Sequence, residues 1–170
     1  MGGLLCGIAD VGAPTALERL GIGQMEGHAT AEVVAALVDY LCGSGATLQD
    51  SDVRQAATLL LMELLEGAEA EGVAAALEQA AAAADFNGLL ERFYAYVLYW
   101  AFVRVHSERV LGQRGDEDMG RMIEDLKTYI RLALRQRVRG RPLASVDWLG
   151  AEGQRVAEEI LEATLAVYGG

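Results

Sequence analysis

The sequence contains few of the residues that interrupt helices, build disulfide frameworks or bind metals. Of its 170 residues, only two are proline, two are cysteine and two are histidine. Scarce proline and abundant alanine favour helix, and no run of β-branched residues alternates as it would in a strand. Cys6 and Cys42 cannot form a disulfide framework, which favours reduced thiols in a bacterial-type cytoplasm.

The chain also lacks a long apolar run and a basic N-terminus. The longest stretch without charge covers residues 93–103, eleven residues, whereas a membrane-spanning helix needs about 20. No signal peptide is evident, because no basic residues precede an apolar segment at the N-terminus. We therefore expect a cytoplasmic protein without a membrane segment.

Catalytic and metal-binding motifs are not found either. Neither His28 nor His106 has a cysteine or carboxylate at the spacing of a known metal motif. Residues 106–108 match the first half of a zinc deaminase signature, but no Pro-Cys-x-x-Cys follows. The segment Gly21–Gly27 misses the spacing of a dinucleotide-binding loop, and no strand precedes it. We expect no metal, no cofactor and no catalytic residue, and hence a protein that is not an enzyme.

Apolar periodicity predicts six helices behind a glycine-rich segment. Residues 1–29 contain seven glycines, which predicts a flexible tail with one helical turn near Thr15–Leu20. The helices are expected at residues 30–42, 50–66, 73–84, 89–111, 116–138 and 151–168. The predicted fold is all-α, a compact bundle of about five or six helices over residues 30–170, with the tail at 1–29.

Two of the predicted helices carry more apolar surface than one buried stripe needs. In the second, Leu59, Met62 and Leu65 widen the stripe, which predicts a central place in the core. In the fourth, aromatic residues surround the helix, so it is either buried in the core or covered by another chain. Tyr94, Tyr99 and Trp100 are therefore candidates for contact with a partner.

Charge is unevenly distributed along the chain. The net charge is -11, and residues 1–90 contain thirteen acids but only two basic residues. Carboxylates fall on predicted exposed faces, with Glu63 and Glu66 nearest to a buried acid pair. Residues 126–141 contain six basic residues and no acid. A globally acidic protein is a poor general binder of nucleic acid.

Within the basic segment, Arg131 and Arg135 lie one turn apart on the same helix face, and Arg137 extends the patch. Two interpretations stay open at this point. The arginines could pair with the acidic first half of the same chain. Alternatively, they could contact a partner protein or nucleic acid.

Three segments carry a resemblance to a known family. The first is Ala31–Cys42 (AEVVAALVDYLC), followed by Gly-Ser-Gly and by Asp52–Ala57 (DVRQAA). The second is Asp125–Ile130 (DLKTYI) with the later Gly140-Arg141 step, and the third is the helix Ile160–Tyr168. Over residues 20–168 the chain resembles QatB, the helical component of the Qat anti-phage defence system.

The resemblance implies a non-enzymatic component that works beside an ATPase, a TatD-like nuclease and QatC, a QueC-like enzyme. QueC-like enzymes of defence systems resemble ATP-dependent ligases that attach a deazaguanine-type group to a protein N-terminus. Removal of Met1 would expose the unhindered amine of Gly2, followed by Gly3. We therefore expect a defence component that binds, and is modified by, a QueC-like (QatC-type) enzyme. The alternative is a small nucleic-acid-contacting subunit that uses the basic face 127–141.

Overall fold

The computed structural model describes residues 12–19, 30–42, 48–66, 72–82, 85–111, 116–138, 141–148 and 150–169. Throughout these ranges the regular structure is helical and no strand occurs, which confirms the predicted all-α fold of five or six principal helices. The α-helices are α1 Ala13–Arg19, α2 Thr30–Cys42, α3 Leu48–Leu64, α4 Val73–Ala82, α5 Phe86–Leu111, α6 Asp116–Val138 and α7 Ala151–Tyr168.

The chain divides into two compact units, residues 1–86 and 87–170. The predicted limits of tail and bundle, 1–29 and 30–170, stay a prediction. In the first unit α2 packs on α3, and α4 contacts both α1 and α3. Its described core consists of aliphatic side chains and alanines on the faces where these helices pack together. The most deeply buried are Leu37, Ala56, Ala57, Leu60, Leu61 and Leu77.

The helical turn predicted near Thr15–Leu20 is present as the seven-residue helix α1. Gly12, which precedes it, has φ of 81°, a left-handed conformation that glycine adopts without steric cost. Pro14 lies in the first turn, where its missing N–H removes no helical hydrogen bond. Leu17 anchors α1 with only 9% of its surface exposed. The other residues of the predicted tail lie outside the described ranges.

In the second unit, α5 contributes to a core shared with α6 and α7. The inward face of α6 contains Met122, Leu126, Ile130 and Leu134, which are all buried. Phe102 of α5 is the largest fully buried side chain among the described residues. The α5 helix begins at Phe86, three residues earlier than the predicted Leu89. The α5 helix is therefore buried in the core over its central turns. This is one of the two alternatives that its aromatic pattern left open, the other being coverage by another chain.

A corner formed by residues 141–148 and Gly150 lies between α6 and α7. It contains a short 3-10 helix, Leu143–Ser145. The amide of Leu143 donates to Asn87 Oδ1 at 2.8 Å, and Trp148 Nε1 donates to the carbonyl of Leu143 at 2.9 Å. A Cβ on Gly153 would lie 2.5 Å from the Cα of Trp148. The close approach of corner and α7 therefore requires glycine at this position.

The α5 helix has 26 residues, enough length to cross a bilayer. Nevertheless, none of the helices within the described parts of the chain combines that length with sufficient apolar character.

Candidate partner-binding surfaces

The predicted arginine pair of α6 is held by one buried carboxylate of α5. Arg131 Nε donates to Glu91 Oε1, and Arg135 Nε donates to Glu91 Oε2, each at 2.6 Å. The Glu91 side chain is only 7% exposed, whereas those of Arg131 and Arg135 are 45% and 54% exposed. Each carboxylate oxygen thus accepts one charge-assisted bond, so the buried charge is paired as burial requires.

Two opposing effects set the protonation of Glu91. Burial raises its pKa, because desolvation disfavours the charged form. The hydrogen bonds from Arg135 and Arg131 favour the carboxylate and outweigh burial, so the pKa lies below its ordinary value. Glu91 is therefore an ionised clamp for two arginines rather than a proton donor. The expectation that carboxylates lie only on exposed faces was wrong here and at Asp52, which is 4% exposed.

Other described arginines, at this end of α6 and on α7, also meet acids of the same unit. Arg137 donates to Glu159 Oε2 at 2.7 Å, and Arg155 donates to Glu159 Oε1 at 3.1 Å. Arg141 donates to Glu152 Oε1 at 2.5 Å. The intramolecular interpretation of the basic segment is thus supported, but α5 and α7 supply these acids rather than residues 1–90.

The three aromatic candidates of α5 differ in how they are placed. Tyr99 is 5% exposed, and the Lys127 ammonium lies 5.6 Å from its ring centroid. Tyr94 stacks on Trp148 with centroids 4.0 Å apart. Burial raises the pKa of both tyrosines. Their rings therefore stabilise the unit from within.

Trp100 is half-buried and meets Tyr99 edge-on, with centroids 5.3 Å apart. Its Nε1 is buried and has no hydrogen-bond acceptor among the described atoms. A buried donor without a partner costs about 1–3 kcal/mol. Of the three aromatic candidates, Trp100 is the one with a buried hydrogen-bond donor that has no acceptor among the described atoms.

In the first unit, α2 and α3 border an apolar groove of about 290 Å³. Met62 lines it and is 54% exposed, so the prediction that Met62 packs into the core was wrong. Leu65 is buried as predicted, and Leu59 is half-buried. Arg54 and Asp39, which form an ion pair, also line the groove. Its other lining residues are Ala31, Val34, Ala35, Val38, Gln55 and Thr58.

The remaining candidate chemistry is sparse in the described ranges. They contain no group of three or more His, Cys, Asp or Glu side chains that could hold a metal ion. The ring of His106 lies against Phe102 with centroids 5.0 Å apart. Cys42 is a half-buried thiol whose pKa is raised by burial. His28, Cys6 and the modification candidates Gly2 and Gly3 lie outside the described residues.

Several of these residues were missed by the sequence analysis. The spacing of Arg131 and Arg135 showed that two cations share a face, but it could not reveal the acid between them. Glu91 is 40 and 44 residues away from them in sequence. The sequence analysis did not identify the exposed face of α3. The apolar run of this helix is nearly continuous, so it does not distinguish the inner from the outer side.

Comparison with known proteins supplies the family. The family model for QatB, described as the Qat anti-phage system associated protein, matches residues 1–168 of this chain. Neither the curated proteins nor the solved structures gave a match. The match spans nearly the whole chain, including all of the helices described above. The chain therefore belongs to the QatB family and is a component of the Qat anti-phage defence system.

Proposed function

We propose that this protein is a non-enzymatic binding component of its defence system that docks on a QueC-like, QatC-type enzyme. The family match over residues 1–168 carries the proposal. Membership of a multi-protein system supports a role in which the chain acts by contact with other members. The residues predicted for partner contact stay candidates, and the apolar groove between α2 and α3 is a further candidate.

The apolar groove of the first unit supports docking by its composition. Protein interfaces combine an apolar centre with a polar rim. Here the exposed thioether of Met62 lies beside Val34 and Val38, and the Asp39–Arg54 ion pair lines the same groove. Methionine adapts its shape to an irregular partner surface. An apolar side chain of the enzyme would therefore bury Met62 without leaving a charge unpaired.

The second unit offers a contact of different chemistry. Arg131 and Arg137 are each 45% exposed although both form ion pairs. An acidic side chain of the partner could add to these ion pairs. After a small rotation of the Trp100 side chain, an acceptor on the partner would form a hydrogen bond with its Nε1. We propose Trp100, Arg131, Arg135 and Arg137 as a secondary contact. Tyr94 and Tyr99 would support it from inside the unit.

The proposed modification concerns the N-terminal amine. After removal of Met1, the amine of Gly2 would attack a carboxyl group of a deazaguanine-type molecule that the partner enzyme has activated with ATP. An amide bond would form as the activating group leaves and the amine loses one proton. Gly3 would keep the approach unhindered. This step rests on the family resemblance and is tested separately from docking.

Co-expression with the QatC-type enzyme tests the docking proposal. We expect one complex on size exclusion, and we expect Met62→Asp to weaken it by about tenfold or more, because a charge would be buried in the interface. Tyr40→Asp is the matched control, since Tyr40 is equally exposed at 54% but does not line the groove. Equal effects of the two variants would contradict docking through the groove.

Intact-mass measurement on the co-expressed protein tests the modification. We expect a mass increase that disappears in Gly2→Glu, because a large side chain at position 2 keeps Met1 in place and no glycine amine is exposed, while the complex persists. No complex and no mass increase would refute the proposed function. A stable complex with an unmodified N-terminus would contradict the modification alone.

The nucleic-acid alternative gains no support from the basic face. Arg131 and Arg135, two of its central cations, already bind the ionised Glu91. Binding of a phosphate backbone would have to compete with that buried carboxylate. We therefore do not advance a nucleic-acid-contacting role for this face.

A further inference from the structure

A polar groove lies where the end of α6 meets the first turns of α7. Its volume is about 640 Å³, within the range of about 300–1,000 Å³ that small-molecule sites occupy. Ordinary ligand pockets are mostly apolar, so this lining indicates a highly polar ligand. We call it the arginine groove; it is lined by Gln136, Arg137, Val138, Arg141, Arg155 and Glu159.

Cations outnumber acids in the arginine groove. Three guanidinium groups line it, and its described lining contains one carboxylate, Glu159; Arg141 binds a second carboxylate, Glu152, at 2.5 Å. Glu159 is shared, because Arg137 binds one of its oxygens and Arg155 the other. Each guanidinium carries five N–H donors, so Glu159 and Glu152 together satisfy only a minority of them. The groove is therefore locally positive on a chain whose net charge is -11.

The geometry of the groove is fixed by the corner before α7. Tyr94 stacks on Trp148, Trp148 binds the Leu143 carbonyl, and the Leu143 amide binds Asn87. Arg141 lies at the start of this corner, where its amide donates to the Val138 carbonyl at 3.1 Å. Preorganised donors lose less entropy when a ligand binds.

Helix dipoles do not decide the preference of the groove. The carboxyl end of α6 contributes partial negative charge, and the amino end of α7 contributes partial positive charge. The α7 lining residues Arg155 and Glu159 lie beyond its first turn, where the dipole contribution has fallen off, so only a weak contribution from α6, unfavourable for an anion, remains. The guanidinium groups consequently determine which ligand is favoured.

We propose that the arginine groove binds the phosphoryl groups of a nucleotide-sized ligand. A carboxylate offers two oxygens and one charge, which Glu159 already supplies to Arg137 and Arg155. A terminal phosphate offers three acceptor oxygens and more negative charge, and arginine binds phosphate with paired N–H donors. Phosphate can therefore displace Glu159 from Arg137 and Arg155, and Glu152 from Arg141, and engage the three arginines together.

Isothermal titration of the full chain with ATP, pyrophosphate and a single-stranded oligonucleotide tests this inference. We expect ATP and pyrophosphate to bind at micromolar concentration, and Arg137→Ala and Arg155→Ala each to weaken both by about tenfold, the loss of one charge-assisted hydrogen bond. Arg121→Ala is the control, because Arg121 lies on the same helix but outside the groove. Circular dichroism verifies that each variant is folded.

Glu159→Gln distinguishes a binding role from a structural one. Removal of the competing charge should tighten ATP and pyrophosphate several-fold, although it weakens the ion pairs of the folded protein. No binding of either ligand below millimolar concentration, or weaker binding by Glu159→Gln, would overturn the inference. Much tighter binding of the oligonucleotide than of ATP would overturn the assignment to a free nucleotide. None of these outcomes depends on the QatC-type partner.

Discussion

The two units of the chain build their helical cores from different side chains. In residues 1–86, every buried apolar residue in the described ranges is aliphatic or alanine. In residues 87–170, the core includes Phe102 and Tyr99, with Tyr94, Trp100 and Trp148 packed against it. Small side chains allow close helix approach, whereas aromatic rings fill a wider space with a larger area per residue.

Charge follows the same division. The ion pair described in the first unit, between Arg54 and Asp39, joins side chains that are 32% and 68% exposed. In the second unit, Arg131 and Arg135 converge on a carboxylate that is 7% exposed. An exposed pair contributes little to stability, but a buried charge is costly once it loses its partners. The second unit should therefore be the more sensitive to single changes.

Truncation of Phe102 is expected to have the largest effect. Phe102→Ala should lower the free energy of unfolding by about 3–5 kcal/mol, because it removes a ring that is 1% exposed from a packed core. Val105→Ala, three residues later and 62% exposed, should change it by less than about 0.5 kcal/mol. Urea unfolding measures both values.

Leu60→Ala provides the corresponding measurement in the first unit. Leu60 is fully buried, and its truncation should cost about 2–5 kcal/mol. A larger loss for Leu60→Ala than for Phe102→Ala would break the comparison between the aliphatic and aromatic cores.

Removal of both arginines from Glu91 should have the next largest effect. The double variant Arg131→Ala/Arg135→Ala leaves a buried carboxylate without its two donors, which should cost about 3 kcal/mol. Arg137→Ala is the matched control, since it breaks a pair with Glu159 that is partly exposed on both sides and should cost less than about 1 kcal/mol. Similar losses in thermal or urea unfolding would show that burial of Glu91 has little energetic weight.

The sequence predicted the helices well because their apolar periodicity is local. The bounds of α2, α6 and α7 agree with the pattern at residues 30–42, 116–138 and 151–168. The helix α3 begins at Leu48, two residues before the predicted start at residue 50. Helix ends depend on caps and neighbours as well as on apolar period.

The candidate sites were less predictable because they depend on contacts between distant residues. Arg131 and Arg135 could be grouped from their spacing, yet Glu91 lies 40 and 44 residues away from them and carries no local signal of the pairing. Met62 was assigned to the core because it continues an apolar run, but the packing of α2 on α3 leaves it 54% exposed. Such outcomes require the relative placement of helices, which a single helix pattern does not contain.

Glycine substitutions sharpen the comparison between packed and open helix positions within the second unit. Gly153→Ala should destabilise the protein by about 1–3 kcal/mol, because its Cβ would lie 2.5 Å from Trp148 Cα and 2.7 Å from the Asp147 carbonyl oxygen. Gly120→Ala meets no atom within 4 Å and should stabilise α6 by about 0.5–1 kcal/mol. Shifts of the same sign in thermal unfolding would contradict the close approach at Gly153.

The smallest effect is expected from protonation of Glu91, because a neutral carboxyl group retains its packing and part of its hydrogen bonding. The pKa of Glu91 in the folded protein lies below its ordinary value, which is about 4.3 in an unfolded chain. Its ionised form therefore contributes stability above about pH 4.3, and that contribution is lost as the pH falls through the folded pKa. The unfolding free energy of Glu91→Gln should be lower than that of the wild type near neutral pH, and the gap should narrow in acid.

The same substitution in the Arg131→Ala/Arg135→Ala background should reverse the sign. Without the two arginines, burial alone acts on Glu91 and raises its pKa, so the ionised carboxylate destabilises the folded state at neutral pH. Glu91→Gln should then raise the free energy of unfolding at neutral pH, with the gain shrinking as the pH falls and the carboxyl group becomes protonated. Urea unfolding of the four proteins at several pH values measures both differences. A gap of the same sign in both backgrounds would show that the two arginines do not set the charge state of Glu91.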